Sequence, residues 1–325
     1  MSCVSAVSIY DALVEADHQV VPVGIDRAGG WHIADPGYRP FHASGRSVRL
    51  AVPDGILISG DDEIAFDVVF PVLHGPFGED GTVQGLLELI GRPYVGNGVL
   101  ASAAAMDKDI AKRLVADRGI PTTPYRVLHR HDLDADPAGT AAQLLDALGL
   151  PVFVKPAALG SSVGITKVDA VEDLEKALAV AFGFGGKVLV EEAIDGREIE
   201  VAVLEGGRVA GPGEVITASG WYDYNAKYHD PSSRFETPAN LPDQRAEEVR
   251  ALAVAAFEAL EGRGLARVDF LYEAPGRGFL FNEMNTMPGF TPISGFPKMW
   301  EAAGMSYPGL CNELVELALG RGRSA

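Results

Sequence analysis

The chain has 325 residues, which is too long for one ordinary hydrophobic core and favours two or three domains. Apolar residues make up 47% and charged residues 22%, a balance that excludes general disorder. The formal net charge of −18 argues against a protein that wraps nucleic acid or lies on an anionic membrane. An anionic ligand would therefore need a local cluster of lysine, arginine and backbone N–H groups.

Cysteine usage and the start of the chain bear on location. Cys3 and Cys311 are the two cysteines, too far apart in sequence for a metal knuckle or a disulfide framework. No apolar run approaches the length of a membrane span, and the first basic residue is Arg27, so there is no signal peptide with a basic start. We predict a cytoplasmic protein that binds neither nucleic acid nor membrane.

Residues 1–118 alternate helical and extended patterns, which predicts an α/β layer with a doubly wound parallel sheet. The first helix, with Val7, Tyr10 and Val14 on one face, is followed by a strand and a loop or short hairpin. A buried strand then ends in a glycine-rich turn. The predicted ranges are helix 3–16, strand 19–25, loop 26–49, strand 67–73, turn 74–81, helix 83–90 and helix 100–118.

After Pro121 the pattern predicts a compact α+β unit, followed by antiparallel strands paired through Gly206-Gly207. A long polar segment, 218–242, precedes the last helices and a strand pair. The predicted strands are 125–128, 152–155, 187–192, 198–204, 208–214, 266–272 and 278–285, and the helices are 140–148, 171–182, 243–261 and 307–319.

The last strand pair carries candidate metal ligands. Glu283 and Asn285 are two positions apart on one strand and so face the same way, and Asp269 lies on the strand expected to pair with it. Carboxylate and amide oxygens suit Mg²⁺. Acidic residues at strand ends are also commonly just solvated, so this pattern alone leaves both interpretations open.

Two other segments are candidate parts of an anion site. The loop 156–164 contains Gly160, Ser161, Ser162 and Gly164 directly after Lys155, which permits close approach of backbone N–H groups to an anion. The sequence has no GxxxxGK[ST] loop. The segment 218–242 has the length of a lid in which Lys227 could reach a phosphate. An ordinary turn and an exposed surface loop are the alternatives.

Together these segments resemble the D-alanine–D-alanine ligase family of the ATP-grasp superfamily. The matching stretches cover nearly the whole chain, and their combination is more specific than the metal residues alone. They are HGPFGEDGTVQGLLELIGRPYVG (74–96), MDK (106–108), VFVKPAALGSSVG (152–164), VLVEEAIDGREIEV (188–201), WYDYNAKY (221–228), GLARVDF (264–270) and FNEMNTMPGFTPIS (281–294).

The resemblance implies an ATP-dependent, ADP-forming ligase that joins two D-alanines through an acyl phosphate for peptidoglycan synthesis. It implies an N-terminal substrate domain (1–108), a two-part ATP-grasp fold (109–195 and 196–325) and a homodimer. It also implies ATP and two Mg²⁺ ions, which Mn²⁺ could replace.

Site roles follow residue by residue from the resemblance. Lys108 and Lys155 would hold phosphates, Glu191, Glu192 and Ile194 would line the adenine, and Glu198 would hold the ribose. Asp269, Glu283 and Asn285 would bind the metal ions, and Lys227 would join them at the γ-phosphate. Arg267 and the Gly289 N–H would stabilise the oxyanion. His74 and Glu79 would adjoin the first D-alanine, Ser294 and Lys227 would hold the second, and Ser161 with Tyr228 would link lid and loop.

The start of the chain departs from the family pattern, which begins with a strand, a Gly-Gly turn and a glutamate segment. We therefore expect Met1 to be a misassigned start and the first-substrate site to be weakened. Two alternatives stay open: a D-alanine–D-lactate ligase, against which Tyr228 argues, and a nucleotide-binding protein with weak or lost catalysis.

Overall fold

The computed structural model describes residues 2–52, 55–216 and 234–322, which form three β-sheets and their covering helices. The strands are β1 (Val23–Ile25), β2 (Trp31–Ile33), β3 (Ser47–Ala51), β4 (Ile56–Ser59), β5 (Asp62–Ile64), β6 (Tyr125–His129), β7 (Val152–Pro156), β8 (Thr166–Val168), β9 (Lys187–Glu192), β10 (Arg197–Leu204), β11 (Arg208–Ile216), β12 (Arg234–Glu236), β13 (Leu265–Glu273) and β14 (Gly278–Asn285).

The α-helices of the described ranges lie before, between and after these strands. They are α1 (Ser2–Glu15), α2 (Thr82–Leu89), α3 (Val99–Met106), α4 (Lys108–Asp117), α5 (Arg130–Ala135), α6 (Pro137–Leu148), α7 (Leu174–Phe182), α8 (Asp243–Ala259), α9 (Gly295–Ala302) and α10 (Tyr307–Gly322). The mixed α/β class predicted from the sequence is confirmed. No helix among the described residues is long and apolar enough to span a membrane.

Strands β1–β5 form an antiparallel sheet, which differs from the parallel sheet predicted for the N-terminal part. Parallel pairing in the described residues before position 98 is limited to one bridge, between Val69 and Tyr94. Val69 donates to Pro93 O and Val95 donates to Val69 O. The next donor of that parallel ladder would be residue 71, a proline that has no N–H, so the ladder stops there.

Helix α1 has nearly the predicted bounds, but its buried face is different. Ile9, Ala12 and Leu13 are buried, whereas Val14, predicted for the inner face, is 46% exposed. The three buried side chains follow the i, i+3, i+4 spacing of one helical face, and they pack in a cluster with residues of α10. The face chosen from Val7, Tyr10 and Val14 was therefore wrong.

The single helix predicted over 100–118 is two helices, separated at Asp107. This residue is extended (φ −87°, ψ 103°), and its side chain accepts hydrogen bonds from the backbone N–H groups of Asp109 and Ile110. It therefore caps the N-terminus of α4. The break places Lys108 at the first position of α4, where its N–H donates to Ala157 O.

A four-stranded antiparallel sheet forms the middle of the chain, in the order β6-β9-β7-β8. Helices α6 and α7 cover it, and Leu178 of α7 packs in one cluster with Val154 and Val190. The α+β unit predicted here is confirmed, although β8 and the short α5 were not predicted.

Leu178→Ala is expected to lower the free energy of unfolding by about 2–5 kcal/mol, because it leaves a cavity beneath α7. Leu178 is 1% exposed, whereas Val180, on the same helix, is 43% exposed. The matched control Val180→Ala should change stability by no more than about 0.5 kcal/mol. Denaturant unfolding measures both; equal losses would place Leu178 outside the core.

The C-terminal sheet is antiparallel, in the order β12-β11-β10-β13-β14, and it is covered on both faces. The predicted β10–β11 hairpin and the β13–β14 pair are both confirmed. Along β10, Ile199, Val201 and Val203 pack in the cluster that includes α8, whereas Ala202 and Leu204 pack in the cluster that includes α9 and α10. This alternation follows from the two-residue period of a strand.

Candidate active site

A cavity of about 590 Å³ lies between the middle sheet and the C-terminal sheet. Its lining includes Lys108, Lys155, residues 159–162, residues 191–198, and Asn282 with Glu283. The structure thus brings together the predicted phosphate lysines, the adenine segment, Glu198 and one predicted metal ligand. Lys227 and Tyr228 lie outside the described residues, so their roles stay predictions.

The two predicted phosphate lysines are held by the protein on the cavity wall. Lys155 Nζ lies 2.6 Å from Glu191 Oε2. Lys108 Nζ donates to Leu159 O at 2.6 Å and lies 3.2 Å from Glu283 Oε2. Both lysines are largely buried but line the cavity, so each presents a positive charge to it. In a chain of net charge −18, this is a local cluster suited to an anion.

The glycine-rich loop contains backbone strain next to these lysines. Ser161 and Ser162 have φ values of 56° and 57°, a region that costs energy for residues other than glycine. Gly164 has φ +74°, and a Cβ there would lie 2.6 Å from the ring of Phe184, so no side chain fits. The loop therefore keeps a small-residue backbone at the cavity rim, as an anion site requires.

Other members of the predicted adenine segment line the same cavity. Ile194 contributes to its lining, and Glu192, also at the lining, forms a bidentate ion pair with Arg277 at 2.8 and 2.9 Å. Glu191 turns its carboxylate towards the lysines. Lys112, which sequence reasoning missed, lies 3.3 Å from Glu191 Oε1. Its i, i+4 spacing from Lys108 on α4 was the available signal.

Acidic residues of β10, β13 and β14 lie close to one another in the C-terminal sheet. Glu198 and Glu200 on β10 take the parity of Ala202 and Leu204, and Asp269 on β13 lies directly opposite Glu200 and Glu283 in register. One oxygen of each of Glu198, Glu200 and Asp269 lies within 4.8 Å of the others. Glu200 was not predicted, although its two-residue spacing from Glu198 indicated the shared face.

These carboxylates fit a hard divalent cation. The cluster offers several oxygen donors, and Asp269 is 1% exposed, so a metal ion would find partly desolvated ligands there. Asn285 Nδ2 donates to Asp269 Oδ2 at 2.8 Å, which orients that carboxylate. The predicted set of Asp269, Glu283 and Asn285 thus lies on neighbouring strands, with Glu198 and Glu200 added beside Asp269. The assignment of individual ligands stays a prediction.

Arg267 lies at the centre of the acidic cluster. Its guanidinium donates to both oxygens of Asp269 at 2.7 Å, and its Nε lies 3.3 Å from Glu200 Oε1. Burial alone would lower the pKa of Arg267, but the charges of Asp269 and Glu200 outweigh it and raise the pKa above its usual value. A fixed guanidinium of this kind suits stabilisation of a developing negative charge.

The predicted first-substrate residues lie at the N-terminal side of this cluster. His74 Nδ1 donates to Met287 O at 3.0 Å, and its Nε2 lies 3.1 Å from Ser5 Oγ. Burial lowers the pKa of His74, which favours the neutral form of the ring. Glu79 accepts a short hydrogen bond from the Gly75 N–H. Burial raises the pKa of Glu79 to about 7, and the charge of Glu283 adds to this shift.

Ser294 and Gly289 lie together at the start of α9. Ser294 occupies the N-cap position of that helix, and its Oγ accepts a hydrogen bond from the Thr291 N–H at 3.1 Å instead of from the helix. A Cβ on Gly289 would lie 3.1 Å from Ser294 Oγ, so Gly289 and the Ser294 side chain are in close contact. The backbone N–H predicted for the oxyanion and the hydroxyl predicted for the second substrate are therefore neighbours. Their roles stay predictions.

Glu79 should make stability depend on pH in the metal-free protein. The pKa of Glu79 is about 7 in the folded chain and 4.5 for an ordinary glutamate, which stands for the unfolded chain. Between pH 4.5 and pH 7 the folded chain therefore binds more protons than the unfolded chain, and the free energy of unfolding falls as the pH rises. Glu79→Gln removes this effect. Its stability relative to the unaltered chain should therefore improve by about 2.5 kcal/mol from pH 5 to pH 8. Urea unfolding in EDTA measures it, and a pH-independent difference would contradict the raised pKa.

Comparison with known proteins decides the family. A family model described as the D-ala D-ala ligase N-terminus matches residues 1–97, and one described as the D-ala D-ala ligase C-terminus matches residues 114–316. This chain belongs to the D-alanine–D-alanine ligase family. It is 47% identical to the D-alanine–D-alanine ligase A of Bradyrhizobium diazoefficiens, covering 99% of this chain and 92% of the relative.

Other ligases are similar to this chain in sequence or in structure. The D-alanine–D-alanine ligase of Nocardia farcinica is 46% identical, over 99% of this chain and 94% of the relative. The solved ligase from Coxiella burnetii superposes with a TM-score of 0.88 at 35% identity, covering 99% of this chain and 90% of the other. A D-Ala:D-Ser ligase from Enterococcus faecalis gives 0.86 at 34% identity, covering 97% and 94%. The predicted ATP-grasp ligase fold is confirmed.

Proposed function

We propose that this chain joins two D-alanine molecules in an ATP-dependent, ADP-forming reaction that supplies a peptidoglycan precursor. The observation that carries the proposal is the cavity that Lys108 and Lys155 line together with Glu283, whose partner Asp269 lies directly opposite it on β13. That arrangement places cationic groups for phosphates beside oxygen donors for a divalent metal ion. Family membership supplies the substrate.

In the proposed first step, a carboxylate oxygen of the first D-alanine attacks the γ-phosphorus of ATP. The bond from that phosphorus to the bridging oxygen breaks, and ADP leaves. Lys108 and Lys155 hold the phosphates, and Lys227 assists at the γ-phosphate. A divalent metal ion, when bound by Asp269, Glu283 and Asn285, supplies neutralisation of phosphate charge.

In the second step, the amine of the second D-alanine attacks the acyl carbon. Arg267 and the Gly289 N–H stabilise the tetrahedral oxyanion, which collapses to the amide and releases inorganic phosphate. The proton lost by the attacking amine goes to solvent or phosphate. His74 and Glu79 adjoin the first substrate, and Ser294 holds the carboxylate of the second. An acyl phosphate hydrolyses in water, so exclusion of water from this cavity protects it.

The proposal includes two Mg²⁺ ions, a homodimer and a cytoplasmic location. Two ions are proposed because the carboxylates of β10, β13 and β14 together exceed the ligand number that one ion needs from protein. Twofold symmetry is the commonest arrangement of soluble oligomers. Sedimentation equilibrium tests the dimer, and Mn²⁺ substitution tests the choice of ion.

Phosphate release from ATP tests the function. D-alanine should support release together with dipeptide formation, whereas L-alanine alone should not. D-lactate and D-serine, offered with D-alanine, test the other acceptor classes, since one structural neighbour is a D-Ala:D-Ser ligase. ADP binding without any amide or ester product would favour the alternative of a nucleotide-binding protein with lost catalysis.

A further inference from the structure

Lys112 is a buried cation behind the cavity wall, and it contacts three separate segments of the chain, one of which carries the cavity residue Glu191. Its side chain is fully buried, and its Nζ donates to Thr123 Oγ1 at 2.5 Å and to Phe281 O at 3.2 Å. The third partner is Glu191 Oε1, at 3.3 Å. Phe281 directly precedes Asn282 and Glu283 of the cavity lining. A lysine in such a place needs a specific reason, because burying an ammonium group is costly.

We propose that Lys112 is a positioning residue that keeps the charge of Lys155 available to a nucleotide phosphate. The two oxygens of the Glu191 carboxylate are divided between the lysines, Oε2 to Lys155 at 2.6 Å and Oε1 to Lys112 at 3.3 Å. Lys155 and Glu191 alone would form a neutral pair. With Lys112 the group of three carries a net charge of about +1 towards the cavity.

The protonation states support this charge count. Burial would raise the pKa of Glu191, but the attraction of Lys112 and Lys155 outweighs it and lowers the pKa to about 2. Burial lowers the pKa of Lys112 to about 8, with Glu191 opposing the shift, so Lys112 remains mostly protonated at neutral pH. Glu191 is 1% exposed, so solvent screens these charges little.

The inference rests on the proposed function only in requiring that this cavity bind a nucleotide. Lys112→Met keeps most of the side-chain volume and removes the charge. The ADP dissociation constant should rise on the order of tenfold to a hundredfold, because an uncompensated Glu191 then neutralises Lys155. Adenosine, which has no phosphate, should bind as it does to the unaltered protein. Calorimetric titration of both ligands on the full chain measures this split.

A second variant and a control separate charge from structure. Adding Glu191→Gln to Lys112→Met restores the net charge and should recover most of the ADP affinity, even if the single variant folds poorly. Lys176→Met, at an exposed position of α7, makes the same change in total charge and should leave both affinities unaltered. Thermal melting verifies that each variant is folded.

Two results would overturn the inference. One is an equal loss of adenosine and ADP affinity in Lys112→Met, which indicates a purely structural role. The other is an ADP affinity of the double variant, Lys112→Met with Glu191→Gln, that is no higher than the ADP affinity of Lys112→Met alone. If the unaltered chain binds no ADP at all, the proposed function itself fails, which is a different result from a loss confined to the variant.

Discussion

Replacing Asp269 with asparagine is expected to lower kcat by about a thousandfold or more, with little change in ADP affinity. Asp269 accepts both donors of Arg267 at 2.7 Å and lies within 4.8 Å of the oxygens of Glu198 and Glu200. The amide removes one negative charge from the proposed metal site and one acceptor from Arg267. The first loss acts on phosphoryl transfer and the second on the Arg267 guanidinium that faces the tetrahedral oxyanion, and both leave the cavity wall intact.

Glu273→Gln is the matched control, since Glu273 lies on the same strand and makes an exposed pair with Arg277. It should turn over like the unaltered protein. Steady-state phosphate release and calorimetric ADP titration on all three proteins give the comparison. Turnover of Asp269→Asn at the unaltered rate would remove Asp269 from the reaction site.

Arg267→Met should abolish turnover and also destabilise the folded protein, by about 3–5 kcal/mol, because it leaves the buried carboxylates of Asp269 and Glu200 without their cation. Their side chains are 1% and 4% exposed. Without the guanidinium, the carboxylates of Asp269 and Glu200 repel each other. Protonation of one of them removes this repulsion, so the loss of stability caused by Arg267→Met should become smaller as the pH falls towards 5. Chemical unfolding at two pH values, together with an activity assay, tests both effects.

Arg277→Met provides the control for burial. Arg277 also pairs with two carboxylates, Glu192 and Glu273, but its side chain is 40% exposed. Its replacement should cost about 1 kcal/mol or less, since exposed ion pairs contribute little. If both arginine variants lower the free energy of unfolding equally, the burial of the ion pairs of Arg267 does not make them more important for stability than the exposed pairs of Arg277.

The sequence predicts the pairing of the two strands that carry Asp269 and Glu283, because the signal for each strand is local. Asp269, Glu283 and Asn285 lie on strands whose alternation is visible in the sequence, and the observed register places Asp269 opposite Glu283. Glu200 was missed because its importance comes from β10 pairing with β13, a contact between residues 69 positions apart. Lys112 was missed for the same reason, since Glu191, Thr123 and Phe281 meet around it only in the folded chain.

Errors in the fold have equally specific causes. The break at Asp107 was not predicted, because apolar residues continue at helical spacing on both sides of it. The signal for the break is the single side chain of Asp107, which caps the N-terminus of α4. The parallel sheet was predicted from the alternation of helical and extended patterns over 1–118, but Pro71, within the strand predicted at 67–73, removes the donor that would extend its pairing. Each of these two errors depends on one residue, Asp107 or Pro71, whereas the prediction was based on the distribution of apolar residues over a longer segment.

The central claim, ligation through an acyl phosphate, is tested most directly by following oxygen from substrate to phosphate. D-alanine labelled with ¹⁸O in its carboxylate is supplied with ATP and a divalent metal ion, and the products are analysed by mass spectrometry. Carboxylate attack on the γ-phosphorus carries one labelled oxygen into phosphate when the amide forms. We therefore expect one ¹⁸O in each inorganic phosphate released, in step with D-alanyl-D-alanine. Unlabelled phosphate beside the dipeptide, or phosphate release without dipeptide, would contradict the account.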